Sequence, residues 1–482
     1  MSISSALASA VSGLNVTARN ADVISSNLAN VLTPGYVRRQ LEINDLGRLT
    51  GVGVTGITRQ VDEGIVADRR QADSALDFVE TQAKFLAGID LLIGTPDSPS
   101  SLVARLSAFE AGLISASANP ENPASLQEAI GQAADLTRAL NAASDGIQKQ
   151  RTDADNAITR AVDDVNTLLS NIRQLNVDVL KHGPADGYAA SLRDQRQDLV
   201  DQLSRLVPIR QVPREGGAIA LFTPGGAILL DGTAAKLGFT GSNLVAPHMT
   251  LQNGLLSGLS INGIDVASSG PASPIDGGRL AALFTVRDDL AVDAQTQLDA
   301  IARDLAERFQ QPGLDPTLAP GAPGLLTDAG SAFDPANEPG LSARITLNSS
   351  LDPAQGGAIW RLRDGLGALV PGAEGNGALI GRLVDALRTP RAMTSGDLGP
   401  TARSASGQIA SFTSRLAQDR LATDRSVSFA STRQTELASQ ELRNGVDSDA
   451  ELQRLLLVEQ AYAANARMIQ ALDEMMQNIL RI

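Results

Sequence analysis

ELQRLLLVEQAYAANARMIQALDEMMQNILRI, residues 451–482, is the stretch that decides how this chain is organised. Leu455, Tyr462, Ile469 and Met476 fall on one line at a seven-residue period, and Val458, Asn465, Leu472 and Ile479 fall on the line three residues on. Seven of those eight positions are apolar, the exception being Asn465. An a/d seam of this kind belongs to a helix that packs along another helix. No Pro or Gly interrupts it, and good helix formers dominate. No turn leads back to a core before Ile482. The seam's partner is therefore expected from far away in sequence or from another molecule.

Residues 3–31 supply a candidate. Ile3, Leu7, Ala10, Leu14, Thr17, Ala21, Ile24, Leu28 and Val31 alternate spacings of four and three, with only Thr17 polar. Thr33-Pro34-Gly35 stops the pattern, because proline biases the residue before it away from helical angles. The chain thus begins and ends with seam helices. An isolated two-helix pair is marginal in water. Both ends are expected to be poorly ordered in a free monomer and to order when neighbours supply more apolar surface. The competing reading packs both helices on one globular core.

Composition narrows the rest. A chain of 482 residues is too long for one core and suggests two to four domains. A net charge of −14 argues against nucleic acid or an anionic membrane as partner. Aromatics are only 3% of residues, which disfavours aromatic ligand pockets and sugar-stacking platforms, and with them a carboxylate-pair glycosidase. The absence of cysteine excludes disulfides, thiol catalysis and cysteine zinc sites. No apolar run approaches eighteen residues, so no membrane insertion is expected. There is no basic region before Arg19, so a cleavable signal peptide is not expected either.

Taken in order, residues 36–43 alternate and read as extended. The Gly-rich stretch that follows holds Gly51, Gly53 and Gly56 as G-x-G-x-x-G. Without a βαβ pattern around it, this is read as an extended linker with flexible glycines, not a dinucleotide site. From about 65 to 205 the period is helical. Leu76, Val79, Ala83, Leu86, Asp90 and Ile93 form one stripe, flawed at Asp90, and Ile158 to Val179 another. Asn119-Pro120-Glu121-Asn122-Pro123 reads as a turn, with Ser125 capping the next helix and Glu128 three residues on. Residues 219–222 and 228–230 flank Pro224-Gly225-Gly226, and 259–261 and 264–266 flank Asn262-Gly263, two hairpin signals. Helix returns over 278–309. Residues 311–345 read as a long surface loop, and helix resumes over 377–388 and 404–443. Ser448 or Asp449 is expected to cap the terminal helix.

The fold class is therefore mainly α with an inserted small antiparallel β domain. The terminal helices pair as an α-helical coiled coil, with an elongated helical bundle next to it. The expected divisions are 1–40 with 446–482 as the coiled-coil domain and 41–65 as linker. Segments 66–205, 276–310 and 400–445 form the bundle, 206–275 the β domain, and 311–399 a loop-rich mixed segment.

No chemistry emerges. His182 and His248 lie 66 residues apart in loop-like sequence. There is no G-x-x-x-x-G-K-[ST], H-E-x-x-H or G-x-S-x-G pattern. Asp447-x-Asp449-x-Glu451 lacks the rest of a calcium loop and reads as a helix cap. No catalytic, cofactor or metal residue is assigned, and an enzyme is not expected. The expected assembly interface is Ile3, Leu7, Leu14, Ile24, Leu28, Leu455, Val458, Tyr462, Ile469, Leu472, Met476 and Ile479.

Ser26-Asn27-Leu28-Ala29-Asn30 with Thr33-Pro34-Gly35-Tyr36 resembles the signature S-N-x-A-N-x-x-T-P-G-Y at the start of bacterial flagellar rod, hook and hook–filament junction proteins. Gln460 to Arg467, QAYAANAR, resembles their C-terminal Q-x-A-Y-x-A-x-A-R pattern. Leu32 stands where these proteins commonly have a small or polar residue. Residues 119–123, Asp194-Gln195-Arg196-Gln197-Asp198-Leu199 and Asn444-Gly445-Val446-Asp447 are similar to segments of the hook-associated protein 1 family of junction proteins. The resemblance implies a secreted structural subunit that self-associates into a ring between hook and filament. It would meet the flagellar hook protein and a second junction protein or flagellin, with an export chaperone on its C-terminal helix. Export would be unfolded, through the flagellar type III apparatus, to an extracellular place in the flagellum. A hook or rod axial protein is the nearest alternative, and a secreted adhesin a more distant one.

Overall fold

The computed structural model of the chain describes residues 3–33, 36–45, 51–95, 97–182, 187–443 and 445–480. Pro34 and Gly35, on which the expected stop of the first helix rests, lie outside the described residues.

Helix α1 spans Ile3–Ala29 and is followed by a hairpin, β1 Arg39–Asp45 and β2 Val52–Arg59. The antiparallel pair runs from Arg39 opposite Arg59 to Asp45 opposite Val52, with a bulge between Glu42 and Ile43. This corrects the reading of 41–65 as an extended linker with flexible glycines. Leu41 is buried with Val16 and Val23 of α1, and Val52, Val54 and Ile57 pack on them. Gly51 holds a φ of +80°, and a Cβ there would collide with the Ser12 side chain. It is needed because the hairpin lies against α1, not because the segment must bend freely.

The body is built on one long helix. α2 (Glu63–Ile93) and α3 (Leu102–Ala118) run one after the other along α4 (Pro123–Lys181), and α5 (Gly187–Leu206) returns. At 59 residues α4 is about 90 Å long, so it sets the length of the body. Its start is capped by the Asn122 carboxamide with Pro123 in the first turn, and not by Ser125. Ser125 is turned inward, its hydroxyl donating to the carbonyls of Asn119 and Asn122. α2 lies antiparallel to α4, with Gly88 against Gln150 and Leu92 against Gly146.

Strands β3 Arg210–Pro213, β4 Ile219–Phe222, β5 Ile228–Asp231 and β6 Thr233–Ala234 form one antiparallel sheet. Strands β7 Leu237–Gly238, β8 Leu259–Ile261 and β9 Ile264–Val266 form another. The turn joining β8 and β9 has positive φ at both Asn262 and Gly263, as its two-residue hairpin requires. Both sheets are stitched to α4 by asparagines that stand in for a neighbouring strand. Asn166 exchanges two hydrogen bonds with the Leu237 backbone, at 2.9 and 2.8 Å, and Asn176 does the same with Ile219.

The expected single helix over 278–309 is three pieces: α6 Gly278–Thr285, a π turn at Val286–Leu290, and α7 Ala291–Phe309. The wide turn aims Arg287 into the body, where it is fully buried. Its guanidinium donates to Asp155 Oδ1 at 2.6 Å, to the Asp288 carboxylate at 2.8 Å and to the Ser257 carbonyl at 2.9 Å.

Residues 311–345 are not a surface loop. Leu314, Leu325, Leu326, Phe333, Leu341 and Ile345 join the main core. The segment includes β10 Leu326–Asp328 and the turn α8 Leu341–Arg344, and β11 Ile345–Leu347 pairs with β10. Polar side chains pay its backbone cost: Asp299 accepts from the N–H groups of Gly340 and Ser342, and Asn348 donates to Gly324 O. The single turn α9 Arg361–Asp364 and helix α10 Ala378–Arg388 follow. α11 Ala405–Arg443 then lies antiparallel along α2, and α12 spans Ser448–Leu480. The flaw at Asp90 is resolved here, since its carboxylate meets Arg420 of α11.

Candidate functional site

The terminal helices pair with each other. Glu451 of α12 meets Asn27 of α1, and Asn465 lies against Gly13. From Asn27 back to Gly13 is fourteen residues, and from Glu451 forward to Asn465 is fourteen, so the two helices are antiparallel and in step. Asp447, not Ser448 or Asp449, caps α12: its side chain accepts from the N–H groups of Asp449 and Ala450 at 2.9 and 3.1 Å.

Of the expected interface residues, Ile24 and Leu472 are buried, at 3% and 5% exposure. Ile3, Leu7, Leu14, Leu28, Leu455, Val458 and Ile469 are half-buried. Tyr462 is exposed at mid-seam, and Met476 and Ile479 are exposed where α12 overhangs the first turn of α1. Thr17 satisfies its own hydroxyl, which bonds to the carbonyls of Gly13 and Leu14.

The signature residues at the end of α1 form a buried polar clamp. Asn27 is fully buried. Its Nδ2 donates to Arg39 O at 2.8 Å and to Glu451 Oε2 at 3.1 Å, and its Oδ1 accepts from Arg39 N at 3.0 Å and Tyr36 Oη at 2.9 Å. Glu451, 1% exposed, also receives Arg38 Nε at 2.8 Å and Arg454 Nη1 at 2.9 Å. One carboxamide thus joins three segments: α1, the start of the hairpin and α12. Asn30 Nδ2 donates to Ser26 O at 2.9 Å, closing the helix end.

A second polar set ties this unit to the body. Asp194 of α5 accepts Arg39 Nη2 and Arg59 Nε, both at 2.7 Å, and Gln197 accepts Arg59 Nη2 at 2.9 Å. Burial holds the Arg59 guanidinium below its ordinary pKa, although Asp194 opposes the shift. Arg196, in the same run, points the other way to Asn176 and the Gly217 carbonyl, and burial pushes it down to about 10. The segment 194–199 is therefore a joint between the terminal unit and the helical body.

The outward face of α12 adds a feature that the sequence analysis did not single out. Leu457, Ala461, Ala464, Met468, Ala471 and Met475 of α12 are all exposed, Leu457 at 65% and Met468 at 51%. They step by four and three and make a second apolar stripe, about a quarter turn round the helix from the first. Its spacing is the same as that of the inner seam, which lies beside it on the helix. Among the described residues no cluster could hold a metal ion, and no helix is long and apolar enough to cross a membrane.

Three family models match the chain. The flagellar hook-associated protein FlgK helical domain covers residues 86–322, the flagellar basal body rod FlgEFG protein C-terminal model covers 443–482, and the flagella basal body rod protein model covers 7–36. The chain is similar to flagellar hook-associated protein 1 of Salmonella typhimurium, 28% identical over 245 residues, 48% of this chain and 44% of that protein. It is similar to flagellar hook-associated protein 1 of Bacillus subtilis, 24% identical over 497 residues, 95% of this chain and 94% of that protein. The aligned part thus spans less than half of the Salmonella relative and nearly all of the Bacillus one. Among solved structures there is a likeness to the flagellar hook junction protein FlgK from Burkholderia pseudomallei, with 22% identity and a TM-score of 0.43, over 55% of this chain and 47% of that one.

Proposed function

Since the chain belongs to the flagellar hook-associated protein 1 family, we propose that it is a structural subunit of the junction between flagellar hook and filament, assembled with copies of itself through its two terminal helices. The observation that carries this reading is the outward stripe of α12. An α1–α12 pair that served only this chain would have no use for Leu457, Met468 and Met475 in water. A neighbour's helix covers them in a ring. The expected neighbours along the axis are the hook protein on one side and a second junction protein or flagellin on the other. Before assembly the same stripe suits an export chaperone on α12. Delivery is unfolded, to an extracellular place in the flagellum. The reading assigns the protein no catalytic role.

The test is Met468→Asp with Met475→Asp. Both side chains are exposed, so the secreted chain folds with stability changed by no more than about 0.5 kcal/mol. Incorporation fails, because two charges would be buried between copies. Hooks without filaments, and flagellin shed into the medium, are the expected picture in electron micrographs. Normal filaments in this strain would overturn the proposal. Ile469→Asp with Leu472→Asp strikes the inner seam and blocks incorporation as well, but by separating α1 from α12.

A further inference from the structure

Helix α12 carries two apolar stripes, yet only one faces α1. Hydrophobic burial is non-directional and discriminates weakly between two such stripes. The outer stripe, Leu457 to Met475, has no polar member, whereas the inner one contains Asn465. On apolar grounds alone, α12 could roll by a quarter turn and pair through the stripe now exposed. Two polar contacts oppose that roll. Asn465 fits a notch at Gly13, where any Cβ would lie 2.9 Å from its Nδ2. Glu451 reaches the fully buried Asn27, and its other oxygen takes Arg38. Rolling α12 would cost Asn27 Nδ2 one of its two acceptors and take the buried Glu451 carboxylate away from Asn27 and Arg38.

We propose that the Asn27–Glu451 clamp is a face selector: it fixes which stripe of α12 pairs with α1 and so presents the other to a second copy of this chain. The inference rests on the junction reading for the identity of the occupant, but not for the selection itself. A second copy is the favoured occupant. The outer stripe repeats the four-and-three spacing of the inner seam, lies beside it on the same helix, and so extends an existing helix–helix contact to a further helix. Buried polar groups that specify register in helix pairs are the best-attested use of such groups. Asn27 and Glu451 are positioning residues, because neither need touch the neighbour.

The chain lacks cysteine, so disulfide trapping in the full-length protein has no background. Gly13→Cys with Asn465→Cys reports the observed face, since the Cβ at position 13 points at residue 465. Gly13→Cys with Ala464→Cys reports the rolled face. With the clamp intact, the first pair oxidises at least about tenfold faster than the second, the scale of one charged hydrogen bond. Asn27→Ala with Glu451→Ala brings the two rates within about twofold of each other. Glu451→Gln, which keeps an oxygen for Asn27 Nδ2, restores most of the difference. The proposal is overturned if the first pair does not outrun the second in the intact chain, if the ratio is unchanged by the alanines, or if both pairs slow in parallel. Loss of the junction reading would show elsewhere, as normal filaments with Met468→Asp and Met475→Asp, while the cysteine ratio would still decide the selector.

Discussion

Two of the chain's antiparallel helix pairs, α2 with α11 and α1 with α12, are built on opposite plans. Between α2 and α11 polar contacts recur along the length: Arg69 with Glu441, Gln434 with Asp73 at 3.0 Å, and Arg420 with Asp90. Between α1 and α12 the clamp at Asn27 and the notch at Gly13 fix the pairing. The first pair is also buttressed from the body, since Arg69 and Arg70 both reach Asp201 of α5. The second touches the body through the Asp194 joint. The lesson is about completeness. Where polar contacts repeat and a third helix backs the pair, the pair is finished within one chain. Where a clamp and a notch fix the pairing and a bare apolar stripe remains, the pair is left for neighbours to complete.

The strongest way to break that comparison is at Arg69. Its guanidinium gathers Asp73, Asp201 and Glu441, and it is held above its ordinary pKa because those three carboxylates together outweigh the desolvation that would lower it. Arg69→Ala leaves the three carboxylates facing one another, with Asp73 only 3% exposed. The expected loss is about 3–5 kcal/mol, the cost of removing one partner from a buried ion cluster. It is read as a lowered main melting transition. A loss below about 1 kcal/mol, ordinary for surface pairs, would show that the α2–α11 pair is no better determined than the terminal one.

Hydrogen exchange sharpens the contrast without a mutation. In the dilute full-length chain, amides of 3–29 and 448–480 are expected to exchange at least about a hundredfold faster than those of 126–172 in α4, whose opening requires loss of the core. Equal protection would mean that the terminal pair is complete by itself, and the outer stripe would lose its significance.

Much of this was legible in the sequence, for reasons that differ by region. The terminal seams and the long stripe of α4 show because helical periodicity survives over many turns. Asn262-Gly263 shows because its turn demands positive φ at both positions. Three things did not show. The hairpin at 39–59 hid behind its glycines, of which Gly51 is required by close contact with Ser12. The buried course of 311–345 hid because its apolar residues are irregularly spaced and its backbone is satisfied by Asp299 and Asn348 from elsewhere. The clamp hid because Asn27 and Glu451 are 424 residues apart. The motif marked Asn27 as part of a signature, but only the fold says what it holds.

The smallest expected effect concerns pH, and it again separates the body from the terminal pair. Burial pushes the carboxyls of Asp299 and Asp304 above their ordinary pKa; for Asp304 this outweighs the pull of Arg308, and one of its oxygens is buried without a hydrogen-bond donor. A folded-state pKa above the unfolded value of about 4 means that the native protein binds protons first as pH falls. The stability these groups contribute is fully present below the unfolded pKa and is lost as pH rises through the raised one. Mild acidification from neutrality is therefore expected to raise the body's melting temperature or leave it flat. Asp364, which burial would raise, is instead held low by Arg363 and the Gly372 N–H, and so acts only in stronger acid. Asp304→Asn should remove part of that slope whatever its effect on the baseline, because Arg308 keeps the carbonyls of Ala386, Thr389 and Arg403 as acceptors. A melting temperature that falls steadily from pH 7 to 5 in the unmodified chain would show that these two aspartates do not govern the response.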